Sequence, residues 1–251
     1  MRYKSKICKR ILLFTCIFLL WFLCSRNGNE LFLPKPESVI VSLIEMAKSG
    51  TLFLAIVYSL RRILIATCLS AAVAYPLGIL SYNYTIIYDM IGPLVNLMRY
   101  LPVTAFYPLL IMYFGIEERM KIAFLFIATF VYMMPSVMLA LDEINGDLID
   151  TGLTIGMTKW QTITLIQIPA TLPSILNSFV MMIGIGFTYI ATVESVNAVY
   201  GLGYIIQQSS ARGRTDLVFM SIIVLIVISV LIDSISKWSI KKLFKWRYVD
   251  D

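Results

Sequence analysis

The sequence contains no histidine, and this absence removes several kinds of chemistry. Histidine-ligated metal centres, Ser-His-Asp and Cys-His hydrolases, and pH switches based on imidazole all depend on that side chain. The P-loop pattern G-x-x-x-x-G-K-[ST] is absent as well, so the chain is not by itself a P-loop ATPase. We therefore predict no catalytic residue, no metal site and no cofactor in this chain.

Cysteine and charge are also scarce. Of the four cysteines, Cys16, Cys24 and Cys68 lie in apolar stretches and Cys8 lies in a basic tail, which favours reduced thiols over a disulfide framework. Charged residues make up 14% of the chain, whereas about 25% is usual in soluble proteins. Hydrophobic residues make up 59%, and the mean hydropathy is +0.83. Such a composition predicts a chain that lies mostly in a lipid bilayer.

Apolar runs long enough for membrane helices occur six times, since a spanning helix needs about 20 mostly apolar residues. The runs are Ile11–Cys24, Ile63–Leu80, Ile91–Phe114, Met120–Leu141, Ser174–Val193 and Leu217–Ile235. The first run follows a basic segment, but no small-residue cleavage site comes after it, so we predict an uncleaved signal anchor. The sequence thus predicts an all-α integral membrane protein with six transmembrane helices.

The distribution of basic residues predicts the orientation of these helices. Five of the 21 basic residues lie in the first ten positions, and five more lie between Lys237 and Arg247. The positive-inside rule therefore places both termini in the cytoplasm. Clustering at the two ends also argues against nucleic acid as the reason for the net charge of +6. On this topology Ser195–Thr215 lies outside, and Asp142–Gln167 lies inside.

The inner segment Asp142–Gln167 is too polar to span a membrane, and its pattern predicts two short helices. Thr158 and Gln161 have the spacing of a capping box, and Gly156 just before them suits the left-handed end of the preceding helix. Pro169 and Pro173 are then expected to interrupt the helix as it turns back into the membrane. A compact helix pair of this kind on the cytoplasmic face is suited to docking a partner.

This segment resembles the EAA loop of ABC importer permeases, written E-A-A-x3-G-x9-I-x-L-P. The matching positions are Asp150, Thr151, Gly152, Gly156, Ile166, Ile168 and Pro169. The chain departs from the pattern by Asp for Glu, by Thr-Gly for Ala-Ala and by Ile for Leu, while the spacing is intact. The resemblance implies that this loop, together with Thr158 and Gln161, couples the chain to an ATPase.

Other stretches are similar to permeases of the nitrate, sulfonate and taurine importer group. They are Leu33–Val39, which matches L-P-x-P-x-x-V, then Ser59–Arg62, Arg99–Pro102 with Pro108, Phe114–Ile116, Gly201–Tyr204 and Thr215–Leu217. The resemblance extends from about Leu33 to Arg247. It implies the type I ABC importer permease architecture, in the plasma (inner) membrane of a bacterium or archaeon.

The family's division of labour implies the partners. A second permease subunit, expected to be an identical copy, two ATP-binding subunits and an extracytoplasmic solute-binding protein would complete the importer. The expected solute is a small anion such as a sulfonate, taurine or nitrate. The alternatives are a thiamine precursor or another heterocycle in the same importer class, and a secondary transporter that works alone.

The domain boundaries follow from the runs and the resemblance together. We predict a basic tail at 1–10, a first transmembrane helix at 11–24, an extracytoplasmic segment at 25–52, a permease domain at 53–237 with its coupling loop at 142–169, and a cytoplasmic tail at 238–251.

Candidate pathway residues are the polar side chains within or beside the predicted spans. They are Arg99, Thr188, Thr192, Glu194 and Asn197. Arg99 could attract an anion, or it could cap backbone carbonyls that Pro102 frees or pair with an acid. Glu194 could line the outer mouth, or it could anchor the helix end in the head-group region. We predict that Arg61 and Arg62 at the outer entry of the second span snorkel to the interface.

Overall fold

The computed structural model describes residues 2–98, 100 and 102–247, and the elements described in them are all helical. The α-helices are α1 (Arg2–Asn27), α2 (Pro36–Lys48), α3 (Thr51–Asn83), α4 (Thr85–Met98), α5 (Tyr107–Phe114), α6 (Glu118–Asp142), α7 (Gly146–Thr154), α8 (Lys159–Thr162), α9 (Ile168–Glu194), α10 (Leu202–Ala211) and α11 (Thr215–Leu243). Short 3₁₀ turns cover Val103–Phe106 and Lys245–Arg247, and a π-helical turn covers Ile163–Gln167.

Four helices among the described residues are long and apolar enough to cross a membrane. They are α3, α6, α11 and the 36-residue rod Lys159–Glu194, in which α8, the π turn and α9 follow one another without interruption. These four coincide with the second, fourth, sixth and fifth apolar runs of the sequence. In α1, the apolar part Thr15–Arg26 is shorter.

The third predicted run, Ile91–Phe114, is not one continuous helix. Instead, α4 ends at Met98, and a 3₁₀ turn at Val103 leads into α5. Pro102 has no backbone N–H and adopts an extended conformation with ψ of 109°, so helix hydrogen bonding cannot continue through it. The prediction of a single span here is wrong for that reason. Arg99 lies outside the described residues, and its predicted role stays a prediction.

The core forms where α3, α6 and α9 pack against one another. Glycines make this packing close. A Cβ atom on Gly78 of α3 would lie 2.4 Å from Val137 of α6, and one on Gly186 of α9 would lie 2.6 Å from Ile63 of α3. Small residues at such crossings let membrane helices gain van der Waals contact, which is a main source of helix association in a bilayer.

The last helix lies outside this core. It contacts α2, α9 and α10, and its outward face is apolar and exposed at Ile226, Val230, Leu231 and Ile235. The first helix approaches it near the outer end, where Trp21 stacks on Phe219 of α11. Such a surface suits contact with lipid or with another membrane helix.

Candidate functional site

The inner connection between α6 and α9, residues 142–169, holds the predicted coupling loop. Helix α7 begins where the Asn145 side chain accepts a hydrogen bond from the Asp147 backbone N–H at 3.0 Å. It ends at Thr154 with Ile155 as its C-cap, and Gly156 follows with φ of +86°, a left-handed conformation that glycine adopts at little cost. The predicted short helix and glycine turn are confirmed. The second predicted short helix is instead the foot of the rod Lys159–Glu194, which Pro169 and Pro173 do not interrupt.

The predicted capping box at the start of α8 is also confirmed. The Thr158 hydroxyl accepts from the Gln161 backbone N–H at 3.3 Å, and the Gln161 side-chain oxygen accepts from the Thr158 backbone N–H at 2.8 Å. Two backbone donors that a helix start leaves free are therefore satisfied.

Gly152 brings α7 against the foot of α9. A Cβ atom there would lie 2.8 Å from Ile166 Cδ1 and 3.0 Å from Met157 Sδ. A side chain at this position, where the family pattern has alanine, would require the ends of the Ile166 and Met157 side chains to shift. Ile166 and Ile168 are half-buried, and Pro169 opens α9 as its second residue.

The outward side of this connection carries exposed apolar side chains next to an acid. Ile155 is 74% exposed and Trp160 is 70% exposed, and Leu153 and Asp150 are exposed beside them. We call these four residues the coupling surface. Thr151 is exposed too, and its hydroxyl donates to Asp147 O at 2.6 Å. Clustered exposed apolar residues on a polar segment are typical of a protein interaction site.

A second constellation, the outer polar cluster, lies at the other end of the bundle. It consists of Ser59 and Arg62 of α3, Glu118 of α6, and Glu194 of α9. Arg62 is almost fully buried; its Nε donates to Glu118 Oε2 at 2.8 Å and its Nη1 donates to Glu194 Oε1 at 2.5 Å. The prediction that Arg62 snorkels to the interface is wrong, because two carboxylates from other helices hold it inside.

Glu194 is fully buried, with 0% exposure, and each of its oxygens is occupied. Besides Arg62, it accepts from Ser59 Oγ at 2.8 and 2.9 Å and from the Gly203 backbone N–H at 2.8 Å. A Cβ atom on Gly201 would lie 2.2 Å from Glu194 Oε2, so only glycine fits there. In this conformation Glu194 faces protein and not an open pathway.

The loop before α10 is fixed by the same cluster. Arg62 Nη1 donates to Tyr200 O at 2.7 Å, and the Leu202 backbone N–H donates to Ser59 Oγ at 2.9 Å. Lys121 of α6, which is 1% exposed, donates to Asn197 O at 3.3 Å. Asn197 itself is exposed and has φ of +46°. The loop is therefore seated on α3 and α6 by these polar contacts and by the Tyr200 ring, which stacks on Tyr58 of α3 with ring centroids 5.2 Å apart.

The other pathway candidates occupy the exposed face of α9. Thr188 and Thr192 are exposed and lie one turn apart. Thr188 borders a cavity of about 430 Å³ between α9 and α11, together with Gly184 and Ser229. The structure thus separates the four candidates that it describes: the two threonines share one face, Glu194 is buried, and Asn197 lies in the loop before α10.

A further cavity of about 460 Å³ lies between α4 and α6. Its polar lining comes from Tyr88, Asn96, Tyr132, Ser136 and Asp142. None of the described residues that line it is basic.

Sequence reasoning missed the outer polar cluster, although its parts were visible. Ser59 and Arg62 stand three residues apart and so share one helix face, and Gly201 and Gly203 stand near an acid at the end of a span. The missing information was the contact between them, because Arg62 and Glu194 are 132 residues apart in the chain.

Comparison with known proteins gives matches to membrane components of transport systems. A family model described as "Binding-protein-dependent transport system inner membrane component" matches residues 74–245. A putative ABC transporter permease of Methanocaldococcus jannaschii is 30% identical over 227 residues, which cover 88% of this chain and 84% of that protein. The taurine transport system permease TauC of Escherichia coli is 27% identical, with 82% and 76% covered.

The formylaminopyrimidine transport permease ThiX of Halalkalibacterium halodurans is 25% identical, with 94% of both chains covered. Among solved structures, a chain of the MetNI methionine ABC transporter in an inward-facing conformation superposes with a TM-score of 0.68 at 19% identity, covering 78% of this chain and 97% of that one. This last likeness concerns the fold.

Proposed function

Because the chain belongs to the family of binding-protein-dependent transport system inner membrane components, we propose that its coupling surface docks an ATP-binding subunit that drives solute across the membrane. The chain is a permease subunit of an ABC importer and is not itself an enzyme, since ATP hydrolysis in this family belongs to partner ATPases. The fold is the all-α type I importer permease architecture.

The observation that carries the docking proposal is the coupling surface itself. Ile155 and Trp160 are exposed apolar side chains on a connection that is too polar to lie in lipid. Burial of apolar surface stabilises an interface by about 25 cal/mol per Å². Asp150 beside them would add a charge-assisted contact to a basic partner residue. Gly156 and the capping box fix the shape of the connection. A fixed shape supports the proposal that a movement of the ATP-binding subunit is passed on to α9.

We propose the assembly that this family uses in general: two permease subunits, two ATP-binding subunits and a solute-binding protein outside the cell. A second identical copy is the simplest partner permease, and the apolar exposed face of α11 gives it a surface to contact. The permease domain is placed at 53–237, with both termini in the cytoplasm of a bacterial or archaeal cell. The family match, which extends to residue 245, supports most of that range.

For the solute we propose a small anion such as a sulfonate, taurine or nitrate, with Thr188 and Thr192 in the pathway. The support is the taurine-transporting relative and the exposed hydroxyl face of α9. A neutral heterocycle is the second candidate, because the cavity between α4 and α6 offers hydroxyl and amide groups but no cation among its described residues. The formylaminopyrimidine relative is consistent with that alternative.

Co-purification with the ATPase subunit tests the docking proposal. We expect the charge reversal Asp150→Lys to reduce the amount of bound ATPase and to abolish ATP-driven uptake. The matched control is Asp89→Lys, which reverses an exposed acid on α4 outside the coupling surface. If the ATPase stays bound to Asp150→Lys and uptake still depends on ATP, the surface is not the docking site.

Uptake into proteoliposomes tests the solute proposal. The complex with its binding protein is supplied in turn with labelled taurine, methanesulfonate, nitrate and formylaminopyrimidine. Accumulation of taurine, methanesulfonate or nitrate, without formylaminopyrimidine, supports the anion proposal. Accumulation of formylaminopyrimidine alone supports the heterocycle proposal.

A further inference from the structure

The rod Lys159–Glu194 connects the coupling surface directly to the membrane core, but α3 has no such connection. Helix α8 runs through the π turn into α9 without interruption. Any displacement of the coupling surface therefore reaches α9 along the backbone. Helix α3 is far away in sequence and can follow only through side-chain contacts, which it makes both with α6 and with the rod.

One contact at the inner end of α3 is a reciprocal amide pair. Asn83 Nδ2 donates to Gln167 Oε1 at 2.7 Å, and Gln167 Nε2 donates to Asn83 Oδ1 at 3.0 Å. Gln167 is 2% exposed, and Asn83 also donates to Ile79 O at 2.9 Å. Separating the two side chains would leave the amide of the buried Gln167 without its partner, and an unsatisfied buried polar group is costly.

A second polar contact lies about two turns before Asn83 in α3. The hydroxyls of Tyr75 and Thr171 are 2.9 Å apart. Thr171 in turn donates to Gln167 O at 2.8 Å, so both ties meet the same turn of the rod.

The rod changes its helical type at this place. The Ile168 backbone N–H bonds to Ile163 O, which is the i to i−5 pattern of a π turn, and Pro169 follows with no N–H at all. Single π turns inside α-helices occur frequently at functional sites, and a proline next to one removes a further backbone bond. The regular backbone hydrogen bonding of the rod therefore changes at the same turn that carries its side-chain ties to α3.

The outer end of α3 is tied to the same rod. Arg62 binds Glu194 there at 2.5 Å. Positions 62 and 83 lie about 31 Å apart along a helix with a rise of 1.5 Å per residue, close to the hydrocarbon thickness of about 30 Å. Helix α3 and the rod are therefore joined at both edges of the membrane.

We propose that the Asn83–Gln167 amide pair is the joint through which movement of the coupling surface reaches α3, so that α3 and the rod move as one body. The proposal rests on the proposed function, in which an ATPase moves the coupling surface. Asn83 and Gln167 are positioning residues: they touch neither solute nor ATP, and they set how much of each ATP-driven movement reaches the pathway helices.

The first test measures solute transported per ATP hydrolysed by the complete complex, using the solute that the wild type accumulates in the uptake test. The variants are Asn83→Leu and Gln167→Met, which remove one amide each at similar volume. We expect the ratio to fall about threefold to tenfold, the size of effect that the loss of one or two interhelical hydrogen bonds produces. Bound ATPase, measured separately, should be unchanged.

The swapped pair, Asn83→Gln with Gln167→Asn, separates coupling from simple packing. It keeps two facing amides and the summed side-chain length, so the ratio should return to within about twofold of the wild type. Gln207→Met, an exposed site on α10, is the control and should leave the ratio unchanged. Normal ratios in both single variants would overturn the proposal. If the wild-type chain itself did not co-purify with an ATPase subunit, the proposed function would be contradicted instead.

The second test needs no change at the joint itself. Spin labels at Tyr82 of α3 and Leu165 of the rod, both exposed, report the distance between the two elements in a chain freed of its native cysteines. Labelled protomers are diluted with unlabelled ones so that only distances within one chain are measured. We expect the same distance without nucleotide and with trapped ATP. A distance that changes between these states would show that α3 does not follow the rod.

Discussion

Arg62 joins three helices and a loop through one guanidinium group. It contacts Glu118 of α6, Glu194 of α9 and the carbonyl of Tyr200, and it lies above the ring of Tyr58 at 5.7 Å. The planar fork of arginine suits several acceptors at once, which a lysine could not replace. A charge at this depth is tolerated because the two carboxylates balance it.

We predict that Arg62→Met destabilises the folded chain more than removal of the whole pair does. The single change leaves the Glu194 carboxylate buried without its cation, which costs about 3–5 kcal/mol in comparable buried pairs. The double variant Arg62→Met with Glu194→Met removes both charges and should recover a large part of the loss. Thermal unfolding of the purified protein in detergent measures the difference.

The control for this prediction is the neighbouring arginine. Arg61 is exposed, so Arg61→Met should leave the unfolding temperature nearly unchanged. Equal loss of stability in the Arg61 and Arg62 variants would show that the outer polar cluster does not hold the helices together.

Residues differ in how well the sequence alone predicts their contacts. The capping box of Thr158 and Gln161 was predictable because its partners lie within one helical turn. The partner of Arg62 was not, because neither spacing nor composition says which distant acid a buried arginine will contact. Exposure of Thr188 and burial of Glu194, six residues later, likewise depend on which neighbours pack against α9.

At the scale of elements, the short helix α7 takes its position from Gly152. We predict that Gly152→Val tilts α7 away from the foot of α9, because a branched side chain would overlap Ile166 and Met157. ATP-driven uptake should fall severalfold, while the chain still inserts and folds. Uptake by the reconstituted complex and the yield of folded protein are the two measurements.

Gly146→Val provides the matched control in the same helix. A Cβ atom at Gly146 meets nothing within 4 Å, so the substitution adds the same side chain without a clash. If both variants lower uptake equally, the close contact of α7 with α9 has no part in coupling.

The helices themselves were predictable to different degrees. Long apolar runs predicted α3, α6, α9 and α11, because hydrophobic length is a sufficient signal for a membrane helix. The run Ile91–Phe114 was equally apolar, yet Pro102 breaks it. Hydropathy measures the preference of side chains for lipid, whereas helix continuity depends on backbone hydrogen bonds that hydropathy does not report. Neither hydropathy nor the spacing of polar residues indicates the π turn at Ile163–Gln167.

At the scale of the whole molecule, the two polar regions lie at opposite ends of the bundle. The coupling surface and the Asn83–Gln167 joint belong to one end, and the outer polar cluster belongs to the other. Between them α3, α6 and α9 are packed through glycines and apolar side chains. If an ATPase docks on the coupling surface as we propose, a push at that end would tilt the packed helices as one unit, the kind of rigid-body change that transport proteins use.

The orientation of this unit gives the last prediction. If the termini are cytoplasmic, the turn before α6 and the turn after α10 face outward, while α7 faces inward. We expect a membrane-impermeant thiol reagent to label Glu117→Cys and Arg212→Cys in intact cells, because both positions are exposed on the outer side. Asp147→Cys, also exposed but on α7, should be labelled only after the membrane is opened. The reverse pattern would invert the topology and place the coupling surface where no ATPase could reach it.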